Sequence, residues 1–220
     1  NIQIITHMKL LTKFSSAVLM VALMFTFACK QQNEIATPKN EVSPAALKQI
    51  KALGFTNTGV LRTEGGYIVE GDIFISDSRL NETPAKRHLL RVANSEQYRT
   101  NNVVVTGGQR NITMYAPTGN KGYSAGMIAG LDEAIARYNA MNLDITFSRI
   151  STDNADIRMT RLRKGEERQG ILGSAGFPTA AGDPHNEIKM SGILESSYGL
   201  GTDGIATIIG HEMGHCIGFR

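Results

Sequence analysis

The sequence predicts an α+β fold: a twisted mixed sheet of about five strands, packed by one long helix and a second helix that carries two histidines, with a smaller region in front. Three observations lead to this. Between residues 109 and 220, stretches with an apolar period of two alternate with stretches of period 3.6, the pattern of strands and helices sharing one core. Hydrophobic residues make up 41% of the chain against 20% charged, enough apolar material to bury. Only Cys29 and Cys216 are cysteines, so no disulfide framework staples the fold and the core must hold it.

Residues 1–29 read as an export signal, because Met8, Lys9 and Lys13 lead into an apolar run from Phe14 to Ala28, with a small residue before Cys29. The run is shorter than the roughly 20 apolar residues of a spanning helix. Cys29 followed by polar residues 30–34 resembles the lipid-modified cysteine of a bacterial lipoprotein. The protein is therefore expected outside the cytoplasm, either periplasmic or at the cell surface through a lipid on Cys29, or secreted after cleavage.

Residues 30–44 are polar, with Pro38 and Pro44, and form a tether. Residues 45–108 are the smaller region. A helix from Pro44 to Leu53 places Ala46, Leu47, Ile50 and Leu53 on one face and stops at Gly54. Residues 66–75 (GYIVEGDIFI) put β-branched and aromatic residues on both sides of Gly71-Asp72, the pattern of strand, sharp turn, strand. The polar, irregular stretch from Arg79 to Gln109 holds the boundary.

From residue 109 the order is a short strand at Ile112–Tyr115 ended by Pro117, then a helix from a Ser124 cap through Met141, with Met127, Leu131, Ala134, Ile135 and Tyr138 inward. Strands follow at Asp144–Ile150 and at Ala155–Leu162, where Ile157 and Met159 alternate with polar residues. Glycine-rich residues 170–182 lead to a strand at Glu187–Met190. Thr202 and Asp203 are cap candidates for the last helix, which runs to Gly218.

The formal charge of +3 is too small and too scattered for nucleic acid; Arg161, Arg163, Lys164 and Arg168 interleave with Glu166 and Glu167 as in a solvated turn. His88 and His185 follow polar loop residues and are expected to be solvated. Asp183, the single acid of its loop, falls short of a calcium site. Cys216 is expected to act as a small buried hydrophobe.

His211 and His215, four residues apart on a helix, project from one face one turn apart, close enough for both imidazoles to bind one cation. Zinc at such a site takes nitrogen ligands and, when catalytic, keeps a position open for water beside three protein ligands. Glu212, beside the first histidine, is placed to take a proton from that water as general base. Gly210, Gly214 and Gly218 each cost roughly 0.8–1.0 kcal/mol against Ala inside a helix, so stability alone does not select them. Gly218 lets the chain turn after the helix, since glycine adopts positive φ freely.

The segment His211-Glu212-Met213-Gly214-His215-Cys216-Ile217-Gly218 resembles the metzincin clan of zinc metallopeptidases. With Phe219 and Arg220 it is most similar to the bacterial HEIGH-type, astacin-related enzymes, over about residues 65–220. The resemblance implies that residues 45–108 are propeptide-like. Residues 109–220 are then the N-terminal part, the upper subdomain, of a zinc protease catalytic domain. A third ligand is expected just after Arg220, so the chain is expected to be truncated and inactive alone. Gly173–Gly176 would lie near an edge strand on which substrate adds as a further strand. Residues 69–73 (VEGDI) resemble the Phe-x-Gly-Asp segment of astacin propeptides, with Val69 in the Phe position. Asp72 would then be a latency switch on the metal, and an ordinary hairpin turn is the other reading. The implied function is a monomeric zinc endopeptidase precursor acting on proteins or peptides, activated by a cut between Arg79 and Arg110. The alternative is a non-catalytic exported lipoprotein or adhesin that uses the helix for metal or peptide binding.

Overall fold

The structure, a computed structural model, describes residues 41–82, 99–100, 102–120 and 122–220. The expectations for residues 1–40, including the export signal and Cys29, and for His88 lie outside the described residues.

The first described element is helix α1, Pro44–Ala52. Ser43 caps it by accepting the Ala46 N–H, and proline sits at the first helical position, where its missing N–H has no cost. Strands β1 (Leu61–Thr63), β2 (Gly66–Val69) and β3 (Ile73–Ser76) form an antiparallel meander, with a turn through Glu70 and Gly71 between β2 and β3. Both turn residues have positive φ, 55° and 102°, the second natural only to glycine. Helix α2 is a single turn, Asp77–Leu80. Ile50, Leu53, Phe55, Val69, Ile73, Ile75 and Leu80 bury one another as a small core of this region.

The larger part starts at β4 (Arg110–Tyr115) and continues through helix α3 (Ala125–Ala140), β5 (Ile145–Arg149), β6 (Ile157–Arg161), the short helix α4 (Lys164–Glu167), β7 (Gly173–Ala175), β8 (Glu187–Met190) and helix α5 (Thr202–Ile217). Ser124 caps α3 as the sequence predicts, accepting the Met127 N–H at 3.1 Å. In β4, β6 and β8 the inward positions are apolar: Ile112 and Met114, Ile157 and Met159, Ile188 and Met190, each essentially without solvent contact. These side chains, Phe147, and the facing residues of α3 and α5 make the main core. None of the described helices is long and apolar enough to cross a membrane.

The mixed sheet has eight strands in the order β1-β2-β3-β7-β8-β6-β4-β5. Five belong to residues 109–220, as the sequence predicts. The other three come from the hairpin region, which joins through a parallel pairing of Ile73 with Ala175. Strand β7, expected near a sheet edge, is therefore an interior strand in this state, antiparallel to β8 on its other side.

Three local expectations change. Gly201, with no capping side chain, is the N-cap of α5; Thr202 and Asp203 fall in its first turn, where the acid still suits the helix dipole. The stretch expected as a solvated turn is helix α4. Its Glu166 is buried, accepting the Arg163 N–H and the Thr63 hydroxyl. The glycines of α5 have a packing reason at one position: a Cβ at Gly214 would lie 3.1 Å from the Tyr138 hydroxyl, which donates to the Gly210 carbonyl at 3.0 Å.

Candidate active site

Helix α5 ends as predicted. Gly218 adopts φ 116° and donates its N–H to the carbonyls of Gly214 and His215. The chain therefore reverses immediately, and the carbonyl of Phe219 comes 2.9 Å from Nδ1 of His215. A carbonyl only accepts, so Nδ1 carries the hydrogen and Nε2 presents its lone pair. That Nε2 is buried and has no hydrogen-bond partner. This is the arrangement a metal-ligating histidine requires: one nitrogen fixed by a neighbouring acceptor, the other left free. His211, one turn earlier, lies with its ring centroid 4.6 Å from that of His215 and its plane nearly perpendicular. His215 is buried and His211 half-exposed, so the pair faces outward from the helix. The edge of Phe177 packs on His215 and restricts its ring.

Asp72 arrives from the β2–β3 turn. His211 Nε2 donates to its Oδ2 at 2.9 Å, and its Oδ1 stands 3.7 Å from Nε2 of His215. One ligand atom from each of Asp72, His211 and His215 can be chosen so that all lie within 4.8 Å of one another, a compact three-donor set for a cation. Burial works to raise the Asp72 pKa, but the two imidazoles, His211 by its hydrogen bond first, outweigh it and hold the carboxyl well below the usual carboxylate range. The same hydrogen bond raises the pKa of His211.

Glu212 is 1% exposed, and its Oε2 has no hydrogen-bond partner. Burial, then the negative charge of Asp72, pushes its pKa well above the usual carboxylate value. Such an orphaned acceptor is costly to bury unless a proton or cation meets it. Gly173 of β7 makes room: a Cβ there would stand 2.6 Å from Oε1 of Glu212. A cavity of about 380 Å³ opens beside these groups, lined by Asp72, Ile171, Gly173, Ile208, His211 and Glu212.

Other singled-out residues lie elsewhere. Cys216 is fully buried and burial pushes its thiol pKa up, which leaves it an inert hydrophobe. Asp183 pairs with Arg110 at 3.0 Å. His185 corrects the expectation of a solvated histidine. Its ring lies against Phe74 and so close to Gly176 that an added Cβ would meet it at 2.6 Å; desolvation lowers its pKa to about 4. Three residues near the site had no sequence signal: Phe177 on His215, and the ion pair of Glu70 with Arg220 across 150 positions.

No curated protein matches the chain. A family model described as dual-action HEIGH metallo-peptidase matches residues 67–220. The match takes in the α5 histidines and begins before the turn that carries Asp72, so both sides of the three-donor set fall within it. A peptidase of this kind acts on protein or peptide substrates. Covering well over half of the sequence, the match establishes that the chain belongs to the dual-action HEIGH metallopeptidase family.

Proposed function

We propose that this metallopeptidase is a zinc-dependent endopeptidase made as a latent, exported precursor. The observation that carries the reading is the position of the Asp72, His211 and His215 donors beside the buried, unpartnered carboxylate of Glu212. His211 and His215 would hold the ion through Nε2. Bound there, zinc supplies Lewis acidity toward the peptide carbonyl and lowers the pKa of a bound water toward about 7. Glu212 acts as general base. Its desolvated carboxylate takes a proton from the attacking water and then delivers it to the nitrogen of the departing amine. The fixed Nδ1–H of His215 keeps the ligand tautomer through this cycle.

Latency follows from the hairpin. The Asp72 carboxylate occupies the outward side of both imidazoles, and the Asp72 carbonyl accepts the Ala175 N–H at 3.2 Å. An extended substrate would add to the same edge of β7 through the same kind of backbone bond. The hairpin thus takes both the metal-facing and the strand-facing halves of a substrate site. Residues 8–29 have the order of an export signal, which supports release from the cytoplasm.

The test is zinc content and casein hydrolysis by the full-length protein, before and after cleavage between Arg79 and Arg110. Glu212→Gln is expected to retain zinc and lose hydrolysis, and Asp72→Ala to be active without cleavage. Unimpaired hydrolysis by Glu212→Gln removes the general-base role, and unchanged latency of Asp72→Ala removes the switch.

A further inference from the structure

Glu70 precedes Asp72 by two positions in the β2–β3 turn, and Arg220 follows the end of α5 by three. Between them is an ion pair held by several hydrogen bonds, although Nη1 of Arg220 is buried without a partner. Nη2 of Arg220 lies 2.7 and 2.9 Å from the two Glu70 oxygens, and Nε lies 3.1 Å from Oε2. Nη2 also donates to the Gly54 carbonyl at 3.0 Å, and the guanidinium stacks over Phe55 at 4.4 Å. Glu70 Oε1 in addition accepts the Thr56 N–H at 3.0 Å. The two side chains are 25% and 13% exposed, so the pair is largely withdrawn from water and its geometry is fixed. Glu70 itself has φ 55°, uncommon for a residue with a side chain, so the turn holds a conformation that needs support from outside it.

The other contacts of the hairpin with the larger part lie away from the turn: Ile68 is buried with Leu162 and Ile171, Phe74 lies against His185, and Thr63 donates to Glu166. β3 meets β7 through the single pairing of Ile73 with Ala175, and Asp72 reaches the histidines through one short hydrogen bond to the half-exposed His211. A contact of that kind contributes little by itself. Gly71 at φ 102° allows the turn many conformations in which Asp72 would point away. Arg220, moreover, lies next to Phe219, whose carbonyl orients His215. The pair therefore ties the turn that carries Asp72 to the stretch that orients a histidine.

We infer that Glu70 and Arg220 form a positioning clamp that sets the Asp72 carboxylate against His211 and His215. This rests on the reading of Asp72 as the latency switch. The guanidinium is required because its planar fork meets both carboxylate oxygens, which an ammonium does not. A cut between residues 79 and 110 leaves the pair intact, so departure of the hairpin is a separate step that the clamp slows.

Two readouts on the zinc-loaded, full-length protein test this without measuring peptide hydrolysis: amide exchange at Ala175, whose N–H is given to Asp72, and the rate of zinc loss to EDTA. Glu70→Gln and Arg220→Gln should each speed exchange at Ala175 by about 10–100-fold, less than the loss of one partner costs a fully buried pair because these side chains keep some solvent contact. Both should also speed zinc loss. The Leu131 amide in α3 should be unaffected. Arg220→Lys should fall between these variants and wild type. Unchanged Ala175 exchange in both Gln variants overturns the clamp, and so does equal acceleration at Leu131, which marks a merely structural role. Asp72→Asn tests the underlying reading separately. It should speed zinc loss, and if it does not, the latency switch fails irrespective of the exchange results.

Discussion

Substituting Gly173 by alanine probes how tightly the fold holds the proposed base. The residue lies in strand β7, where an extended backbone accepts alanine without strain, so any effect comes from the added methyl. That methyl would stand 2.6 Å from Oε1 of Glu212 and 2.9 Å from its Cδ and Cγ. Ordinary contact begins near 3.4 Å. The carboxylate must therefore move by about 0.8 Å, or the strand must shift away from α5. A displacement of about 1 Å in a catalytic group lowers turnover by about 10²-fold, and overpacking a well-filled site destabilises by about 1–3 kcal/mol. Activated Gly173→Ala should accordingly lose about two orders of magnitude in kcat against a protein substrate, with zinc content unchanged because neither histidine is touched. Steady-state kinetics beside metal analysis and thermal unfolding separate these effects. Activity within about twofold of wild type, in a protein that remains folded, would refute the claim that β7 fixes the Glu212 carboxylate.

Three further outcomes follow from the packing. Gly130→Ala puts a Cβ 2.4 Å from Cγ2 of Ile205, where α3 crosses α5, and should destabilise by about 1–3 kcal/mol in denaturant unfolding. Ser124→Ala removes the α3 cap and should cost about 1 kcal/mol, a fall of about 2–4 °C in Tm. His185 titrates near 6.5 when unfolded and about 4 when folded, so the unfolded chain binds more protons between those values; its contribution is complete above pH 6.5 and lost as pH falls toward 4. Allowing for partial exposure, that is about 2–3 kcal/mol. Urea unfolding at pH 7 and pH 4.5 should show the loss in wild type and a smaller one in His185→Gln.

The elements of residues 109–220 were legible because each carries its own periodicity. Ile157 and Met159 alternate with Arg158 and Thr160, and α3 repeats its apolar residues at helical spacing between a serine cap and a polar end. Strand β7 was not legible in the same way. Gly173, Ser174 and Ala175 are all buried and all small, so no alternation distinguishes them from a loop. Their pairing with β3 is a long-range contact, and no local pattern encodes which edge a hairpin joins. His185 followed Gly-Asp-Pro and read as solvent-facing; its burial against Phe74 depends on a partner more than a hundred residues away. At the site, the i,i+4 histidines and the adjacent glutamate stand out in the sequence because one helix turn brings them together. The acceptor for His215 Nδ1 does not, because it is a backbone carbonyl placed by the left-handed Gly218.

The site also shows why so few residues suffice to define it. A single glycine at the end of α5 satisfies the helix carbonyls and turns the chain back. It thereby places one acceptor under His215, and carries Arg220 to the Glu70 turn. The tautomer of the buried histidine and the anchorage of the opposing carboxylate thus depend on the same reversal. At Gly218 a Cβ would meet the Asn102 carbonyl at 2.9 Å with φ at 116°, so a side chain there would force the reversal open. Both halves of the site would then loosen together: His215 would lose the acceptor that fixes its Nδ1–H, and Asp72 the support of the clamp.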